Sequence, residues 1–423
     1  MTLLIKNAFV FSGNGFEKKD VIIENNFISA VGASLSVEAV DCVFDCSGKY
    51  LIPGFVDVHV HLREPGFSYK ETIKRGTEAA ALSGYTAVCT MPNVNPVPDS
   101  VEGIKAQTDI IRKDAIIKVY PFASITKGRK GEGELVDFSS LKDLAVGFSD
   151  DGCGVQTAEL MEKAMTECAS LGKIISAHCE VNELLNGGYI HDGEYAKKHN
   201  HKGICSESEW VQIKRDCELA EKTGCQYHVC HISTKESVEI IRAAKKRGVK
   251  VTCETAPHYL TLCDNDLLED GRFKMNPPLR SDEDRRALLQ GVIDGTIDVI
   301  ATDHAPHSNE EKSRGLKDSA MGVVGLETAF PVLYTKLVKT GIITLEKLVY
   351  MMSVRPRKIF SLGTGRIEKG EIADLAVIDL ECLRKINSNE FLSKGKATPF
   401  EGWEVYGKNI LTLCEGEVVY EAI

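Results

Sequence analysis

Between Phe55 and His307 the chain repeats one pattern, and that repetition restricts its possible folds more than any single motif does. Apolar, β-prone runs recur, and most end on a polar or ionisable residue: FVDVHVHL, YTAVCTMPN, IIKVYPFASI, AVGFSDD, IISAHCE, QYHVCHIS, VTCETAPHY and DVIATDHAPH. Segments with helical spacing fall between most of them, such as TAELMEKAMTECASLG and ESVEIIRAAKKRG, each closed by glycine. Parallel strands need long crossovers, so strands alternating with helices indicate βα units. Eight such units predict an α/β fold with a TIM-like (β/α)8 barrel over residues 53–365. An open doubly wound sheet would need a glycine-rich phosphate loop after an early strand, and the sequence has no GxGxxG.

The two ends of the chain read differently. LLIKNAFVF, a Gly13–Asn14–Gly15 turn, DVIIENNFISAVG and VFDCSGKYLI at the start are β-rich with closely spaced turns, as are ADLAVIDL and WEVYGKNILTLCEGEVVY at the end. Residues 1–52 and 366–423 are expected to combine into one small β-sandwich domain, because chain termini often lie close together.

Composition excludes several functions. The 423 residues carry a net charge of −10 with no basic stripe, which argues against nucleic acid as a partner. No apolar run approaches the roughly 18–20 residues of a membrane span, and the first residues lack the pattern of a secretory signal. The fourteen cysteines are scattered, without a CxxC, and several sit in strand-like runs. Free thiols in a reducing cytoplasm are the expectation, with Cys42 and Cys46 the only close pair that invites a disulfide or a metal.

In a barrel, functional groups gather at the C-terminal strand ends. Those ends supply His59, His61, Arg63, Asn93, Asp150, Asp151, His178, His231, His258, Asp303, His304 and His307. Alternate strand residues share a face, so His59 and His61 can reach one cation from about 7 Å apart. Imidazole with carboxylate is a ligand set for zinc and related divalent metals. Asp57 shares the parity of His59 and reads as a structural hydrogen-bonding group. Cys179 and Cys230 neighbour His178 and His231, so alternation turns both thiols toward the helices. Asp303 can bind metal and also move a proton. Arg63 continues the HxH face, and a guanidinium beside a dication implies an anionic group between them, such as a substrate carboxylate.

DVHVHLREPG, MPN, GFSDDG, AHCE, HVCHIST, MNPPLR and ATDHAPHSNEEK, in that order, resemble the amidohydrolase superfamily and, within it, the bacterial class I dihydroorotases. The resemblance implies two zinc ions held by His59, His61, Asp151, His178, His231 and Asp303, with Asp303 as proton shuttle. It implies that Arg63, Asn93, Asn276 and His307 hold the substrate together with the Met321–Gly322 loop, Arg63 and Asn93 taking its carboxylate. The implied reaction closes N-carbamoyl-L-aspartate to L-dihydroorotate and water, reversibly, in pyrimidine biosynthesis. Hydantoinases and several relatives bridge their metals with a carboxylated lysine. Here Lys142 precedes the fourth run, and Asp151 is the implied bridge. Ala320–Met321–Gly322 departs from the Pro-Phe-Gly of many relatives. The other functions considered are a hydantoinase, dihydropyrimidinase or allantoinase, and a non-catalytic scaffold for aspartate transcarbamoylase. A homodimer, with or without transcarbamoylase association, is the expected assembly.

Overall fold

The computed structural model describes residues 1–36 and 40–422. Its strands, in chain order, are β1 (Thr2–Phe11), β2 (Phe16–Glu24), β3 (Phe27–Gly32), β4 (Cys42–Asp45), β5 (Tyr50–Pro53), β6 (Phe55–Val60), β7 (Tyr85–Thr90), β8 (Lys118–Pro121), β9 (Ile174–Ala177), β10 (Ile190–His191), β11 (Gly203–Ile204), β12 (Gln226–Val229), β13 (Val251–Thr255), β14 (Val299–Ile300), β15 (Leu375–Lys385), β16 (Glu404–Cys414) and β17 (Glu417–Glu421).

The two ends of the chain meet in one eight-stranded sheet of order β17-β16-β15-β5-β1-β2-β3. β4 and β5 both run parallel to β1, pairing with its first and second halves. A register shift between Ile5 and Ala8 separates those halves. There Asn7 takes a φ of 60°, and its amide donates to Asp20 Oδ1 at 2.8 Å. β5 then pairs antiparallel with β15, joining positions more than 300 residues apart in sequence. Leu3, Ile5, Val21, Ile23, Leu51, Val377 and Leu411 from these strands are buried.

The middle of the chain forms two parallel sheets, β6-β7-β8 and β9-β12-β13-β14. β6 and β7 are buried at every position, as parallel strands covered by helices must be. Isolated bridges extend both sheets: Ala123 to Phe148, Phe148 to Ile175, and Val60 to His304. The fourth run, AVGFSDD, is not a strand, and only Phe148 pairs. Its Gly147 is so closely covered that a Cβ would lie 2.7 Å from Ile174 Cγ2. Asp150 is drawn out of alternation to accept hydrogen bonds from the Ile125, Thr126 and Gly131 amides.

The expected helices are present at Ala158–Ser170 and Lys235–Lys246. Thr157 and Thr234 cap their N-termini, each accepting an amide three residues on, which satisfies one of the unpaired donors of a first turn. Val56, Ala87, Phe122, Ile174 and Val299, with Phe360, form an apolar cluster shared by both parallel sheets. The polar strand ends therefore stand above a packed interior. Among the described residues no helix is long and apolar enough to cross a membrane.

Candidate metal centre

Six of the charged groups at the strand ends arrive at one place, whereas Asp150 turns away to the Ile125, Thr126 and Gly131 amides. His59 is the last residue but one of β6 and His61 lies just beyond its end, His178 follows β9, His231 follows β12, Asp303 follows β14, and Asp151 follows the bridged Phe148. His231 and Asp303 have φ of 28° and 48°, and Arg63 has 60°. The backbone thus leaves the extended region where these side chains turn inward.

Asp151 is common to two groups of close donors, one with His59 and His61, the other with His178 and His231. His59 Nε2 lies 3.3 Å from Asp151 Oδ1 and 3.5 Å from Asp303 Oδ1. His61 Nε2 lies 3.6 Å from Asp151 Oδ2 and 3.2 Å from Asp303 Oδ1. His178 Nδ1 is 3.0 Å from His231 Nε2, which is 3.5 Å from Asp151 Oδ1. Ligands about 2.05 Å from a tetrahedral ion stand about 3.3–3.4 Å from one another, so this spacing fits ions of the zinc class. Two atoms at the centre of the cluster, His59 Nε2 and Asp151 Oδ1, are buried without a hydrogen bond, as ligand atoms awaiting a cation would be.

Charge at the site points the same way. Burial opposes a charged imidazole at His59, yet Asp151 and Glu254 raise its pKa well above the ordinary value. Burial would likewise raise Asp151, but His59 and the hydrogen bonds around it hold its carboxyl well below the ordinary range. Burial and then Arg63 lower His61 to about 4, leaving its imidazole neutral at physiological pH.

Several supporting groups carry no recognisable sequence signal. Glu254 is buried and accepts from His59 Nδ1 at 2.7 Å and from His228 Nε2 at 3.1 Å. This orients the His59 ring with Nε2 toward the carboxylates, the arrangement in which a second acceptor positions a metal-binding histidine. Lys312 is buried and donates to the carbonyls of Lys274 (3.0 Å), Ala320 (2.8 Å) and Gly322 (2.6 Å). It thereby anchors the Ala320–Met321–Gly322 loop. Glu254 follows a cysteine in an apolar run and Lys312 sits in a charged helix turn, so neither stands out before the chain is folded.

A cavity of ≈ 230 Å³ opens above the cluster, lined by His61, Arg63, Asn93, Asp151, His178, His231, Asn276, Asp303, His307, Met321 and Gly322 among others. Arg63 makes no ion pair among the described residues. Glu64, its neighbour, accepts the Ile73 amide at 2.9 Å, and Arg63 Nε donates to the Pro306 carbonyl at 3.2 Å. Burial lowers the Arg63 pKa to about 10. His307 accepts from Lys70 at Nδ1 (3.2 Å) and donates from Nε2 to the Met321 carbonyl (2.8 Å). Burial, then Arg63 and Lys70, lower its pKa to about 3 and keep it neutral. Asn93 donates to the Asp151 carbonyl at 3.0 Å, and Asn276 to Glu180 at 2.7 Å.

The remaining histidines and acids lie outside the two groups of close donors around Asp151. Asp57 accepts the His59 and Thr302 amides across a register shift between Asp57 and Val60. His304 accepts the Gly325 amide at 3.2 Å, and its own carbonyl accepts the His61 amide at 2.8 Å. His258 lies buried with Nε2 unpartnered. His199 and His201 stack with Tyr195 away from the cavity.

One sequence expectation needs correction. Cys179 faces a helix as expected, its sulfur 3.1 Å from Tyr227 Oη, which donates to Asp216. Cys230 does not: its sulfur lies 3.1 Å from Ser176 Oγ, in a group with His59 and Glu254. β12 ends at Val229, and the left-handed backbone of His231 breaks the two-residue alternation on which the expectation rested. All fourteen cysteines, Cys42 and Cys46 included, are free.

Residues 48–237 match the family model described as dihydro-orotase-like. A dihydroorotase of Geobacillus sp. (strain WCH70) is 50% identical over 424 residues, covering 100% of this chain and 99% of that protein. A dihydroorotase of Listeria innocua is 51% identical over 420 residues, 99% and 98% of the two chains. Among solved structures, the L-hydantoinase (dihydropyrimidinase) of Arthrobacter aurescens superposes with a TM-score of 0.88 at 26% identity, over 99% of this chain and 96% of that one. A dihydropyrimidinase from Brevibacillus agri NCHU1002 shares the fold, with a TM-score of 0.87 at 23% identity over 100% and 95% of the two chains.

Proposed function

This chain belongs to the dihydroorotase family of cyclic amide hydrolases, and from that premise we propose a site-by-site account of how it interconverts L-dihydroorotate and N-carbamoyl-L-aspartate. The observation that carries the substrate assignment is Arg63, a largely buried guanidinium without a carboxylate partner, facing the cavity beside the metal-type cluster. Neutral hydantoin-type rings have no use for it, whereas a ring carboxylate matches its planar fork.

His59, His61 and Asp303 would hold one divalent ion and His178 and His231 a second, with Asp151 between them. Zinc suits this donor set, and two ions per chain suit the sharing of Asp151. When bound, such ions lower the pKa of water and polarise the ring carbonyl. Asp303 then acts as base and acid in turn. In hydrolysis it takes a proton from the attacking water and delivers it to the amide nitrogen that leaves the carbonyl carbon. Ring closure reverses both transfers. Burial would raise the Asp303 pKa, but its hydrogen bond to His61 and the nearby imidazoles keep it below the ordinary range, so the base form prevails at neutral pH.

Arg63 takes the substrate carboxylate, and Asn93 retains one amide N–H for it. Asn276 donates to Glu180 and leaves its carbonyl oxygen for a ring N–H. Neutral His307 holds the Met321–Gly322 backbone as a wall over the ring. Gly322 is required there, since a Cβ would lie 2.7 Å from the Ala305 carbonyl oxygen.

The bridges Ala123–Phe148–Ile175 and Val60–His304 support reading the two parallel sheets as one (β/α)8 barrel, residues 53–365. Residues 1–52 and 366–423 form the companion β-sandwich domain in this reading. The free thiols support a cytoplasmic location, and the proposed assembly is a homodimer able to associate with aspartate transcarbamoylase.

The test is turnover by zinc-loaded protein of L-dihydroorotate, hydantoin, dihydrouracil and allantoin side by side. Turnover of L-dihydroorotate alone is expected. Preference for a ring without a carboxylate would favour the hydantoinase reading, which the fold of the solved neighbours alone also accommodates.

A further inference from the structure

β15 and β16 are antiparallel neighbours, yet residues 386–403 separate them, where a hairpin loop needs about two to five. The extra chain does not stay on the terminal sheet. Its middle, residues 391–398, reaches the strand ends that carry the substrate side of the site.

Its anchors lie on either side of that region. The Ser393 hydroxyl donates to Glu327 at 2.7 Å, and the Leu392 amide donates to the same carboxylate. The Lys394 amide donates to Glu71 at 3.0 Å, and the Ala397 carbonyl accepts the Val324 amide at 2.9 Å. Glu71 follows Arg63 in the chain, and Val324 and Glu327 follow Met321–Gly322. Glu71 and Glu327 are both buried, so these are fixed attachments.

Gly395 sits between the anchors, against Pro306 and His307. A Cβ there would lie 2.7 Å from Pro306 Cβ, 3.0 Å from Pro306 Cα and 3.1 Å from the His307 amide nitrogen. Its backbone is not in the left-handed region, so the position demands space and not an unusual φ. The same two residues carry contacts of the cavity: the Pro306 carbonyl accepts from Arg63, and the His307 ring donates to Met321.

We propose that residues 391–398 are a strap from the terminal sheet that sets the carboxylate-binding end of the site, with Gly395 as a positioning residue acting through Pro306 and His307. The inference rests on the reading of Arg63 and His307 as substrate-side groups. A methyl group at Gly395 must push Pro306–His307 inward and move the carbonyl that orients Arg63. No hydrogen bond among the described residues joins the strap directly to His59, His61, Asp151, His178, His231 or Asp303.

The test compares steady-state kinetics on L-dihydroorotate and metal content for the wild type, Gly395→Ala, Pro306→Gly and the double variant. Gly395→Ala should raise KM by about tenfold or more, the loss expected when a charge-assisted hydrogen bond from Arg63 to the substrate carboxylate is weakened. Its kcat should stay within about threefold and its metal content unchanged. Pro306→Gly removes the closest of the three contacts, so Gly395→Ala should raise KM less on the Pro306→Gly background than on the wild type. A wild-type KM in Gly395→Ala overturns the strap, as does a joint loss of kcat and metal that Pro306→Gly leaves unrelieved. Wild-type protein that does not turn over L-dihydroorotate overturns the functional reading instead, and the strap's role in carboxylate binding falls with it.

Discussion

Arg63 and Glu254 are charged groups withdrawn from water, and they are satisfied in opposite ways. Glu254 has two imidazole donors inside the protein, whereas Arg63 donates to the Pro306 carbonyl, lies 3.3 Å from His307 Nε2, has no carboxylate partner and faces a cavity. Arg63→Ala should therefore raise KM for L-dihydroorotate by about 10- to 100-fold, the equivalent of about 1.5–3 kcal/mol for a charge-assisted hydrogen bond, with metal content unchanged. Unaltered KM would remove the carboxylate role. Glu254→Ala leaves His59 without its orienting acceptor, and metal affinity measured by competition with a chelator should fall about 10- to 100-fold. Asp303→Asn should lower kcat by about 10²–10⁴ while some metal is retained, which metal analysis alongside kinetics would check. Arg63 was legible in the sequence because it lies two residues beyond HxH, although a left-handed backbone, and not strand alternation, carries it to the cavity. Glu254 was not, because its meaning depends on a neighbour 195 positions away.

The elements bring the ligands together through short, irregular strand ends. Glu209, on the helix Glu207–Thr223, illustrates the support they need. It accepts from the Ser233 and Thr234 amides and from the hydroxyls of Ser233, Thr234 and Ser237, just beyond His231. Glu209→Ala would strand several buried donors and should lower unfolding free energy by about 1–3 kcal/mol, measurable by urea denaturation. Periodicity located the helices well because capping residues and closing glycines are local signals. It overstated the fourth run as a strand and misplaced Cys230. In both places a side chain or a left-handed residue overrides alternation, and neither effect is encoded in spacing.

Acid should destabilise the molecule as a whole. Burial lowers His258 to about 4; burial and Arg280 lower His191 to about 4; burial, Arg63 and Lys70 lower His307 to about 3. The unfolded chain binds these protons near pH 6.5, and the folded chain does so only two or more pH units lower. Between those limits the unfolded state holds more protons, so stability falls as pH drops from about 6.5 toward 4, by up to about 1.4 kcal/mol per pH unit for each histidine. His191 lies outside the proposed site, so His191→Gln should flatten the dependence of Tm on pH without touching catalysis. An unchanged slope would exclude His191 as a contributor.

The sequence alone determined the α/β class and the set of ionisable strand ends, while Asn276, Met321 and Gly322 were reached only through resemblance to a family. The first two follow from period, composition and motif, which are properties of neighbours along the chain. The tertiary structure decided that Asp151 belongs to two ligand groups at once, that Glu254 and Lys312 hold the site from behind, and that a loop near residue 395 presses on His307. Each of those facts is a distance between segments far apart in sequence. Such distances are set by packing, and packing is a property of the folded molecule and not of any stretch of it.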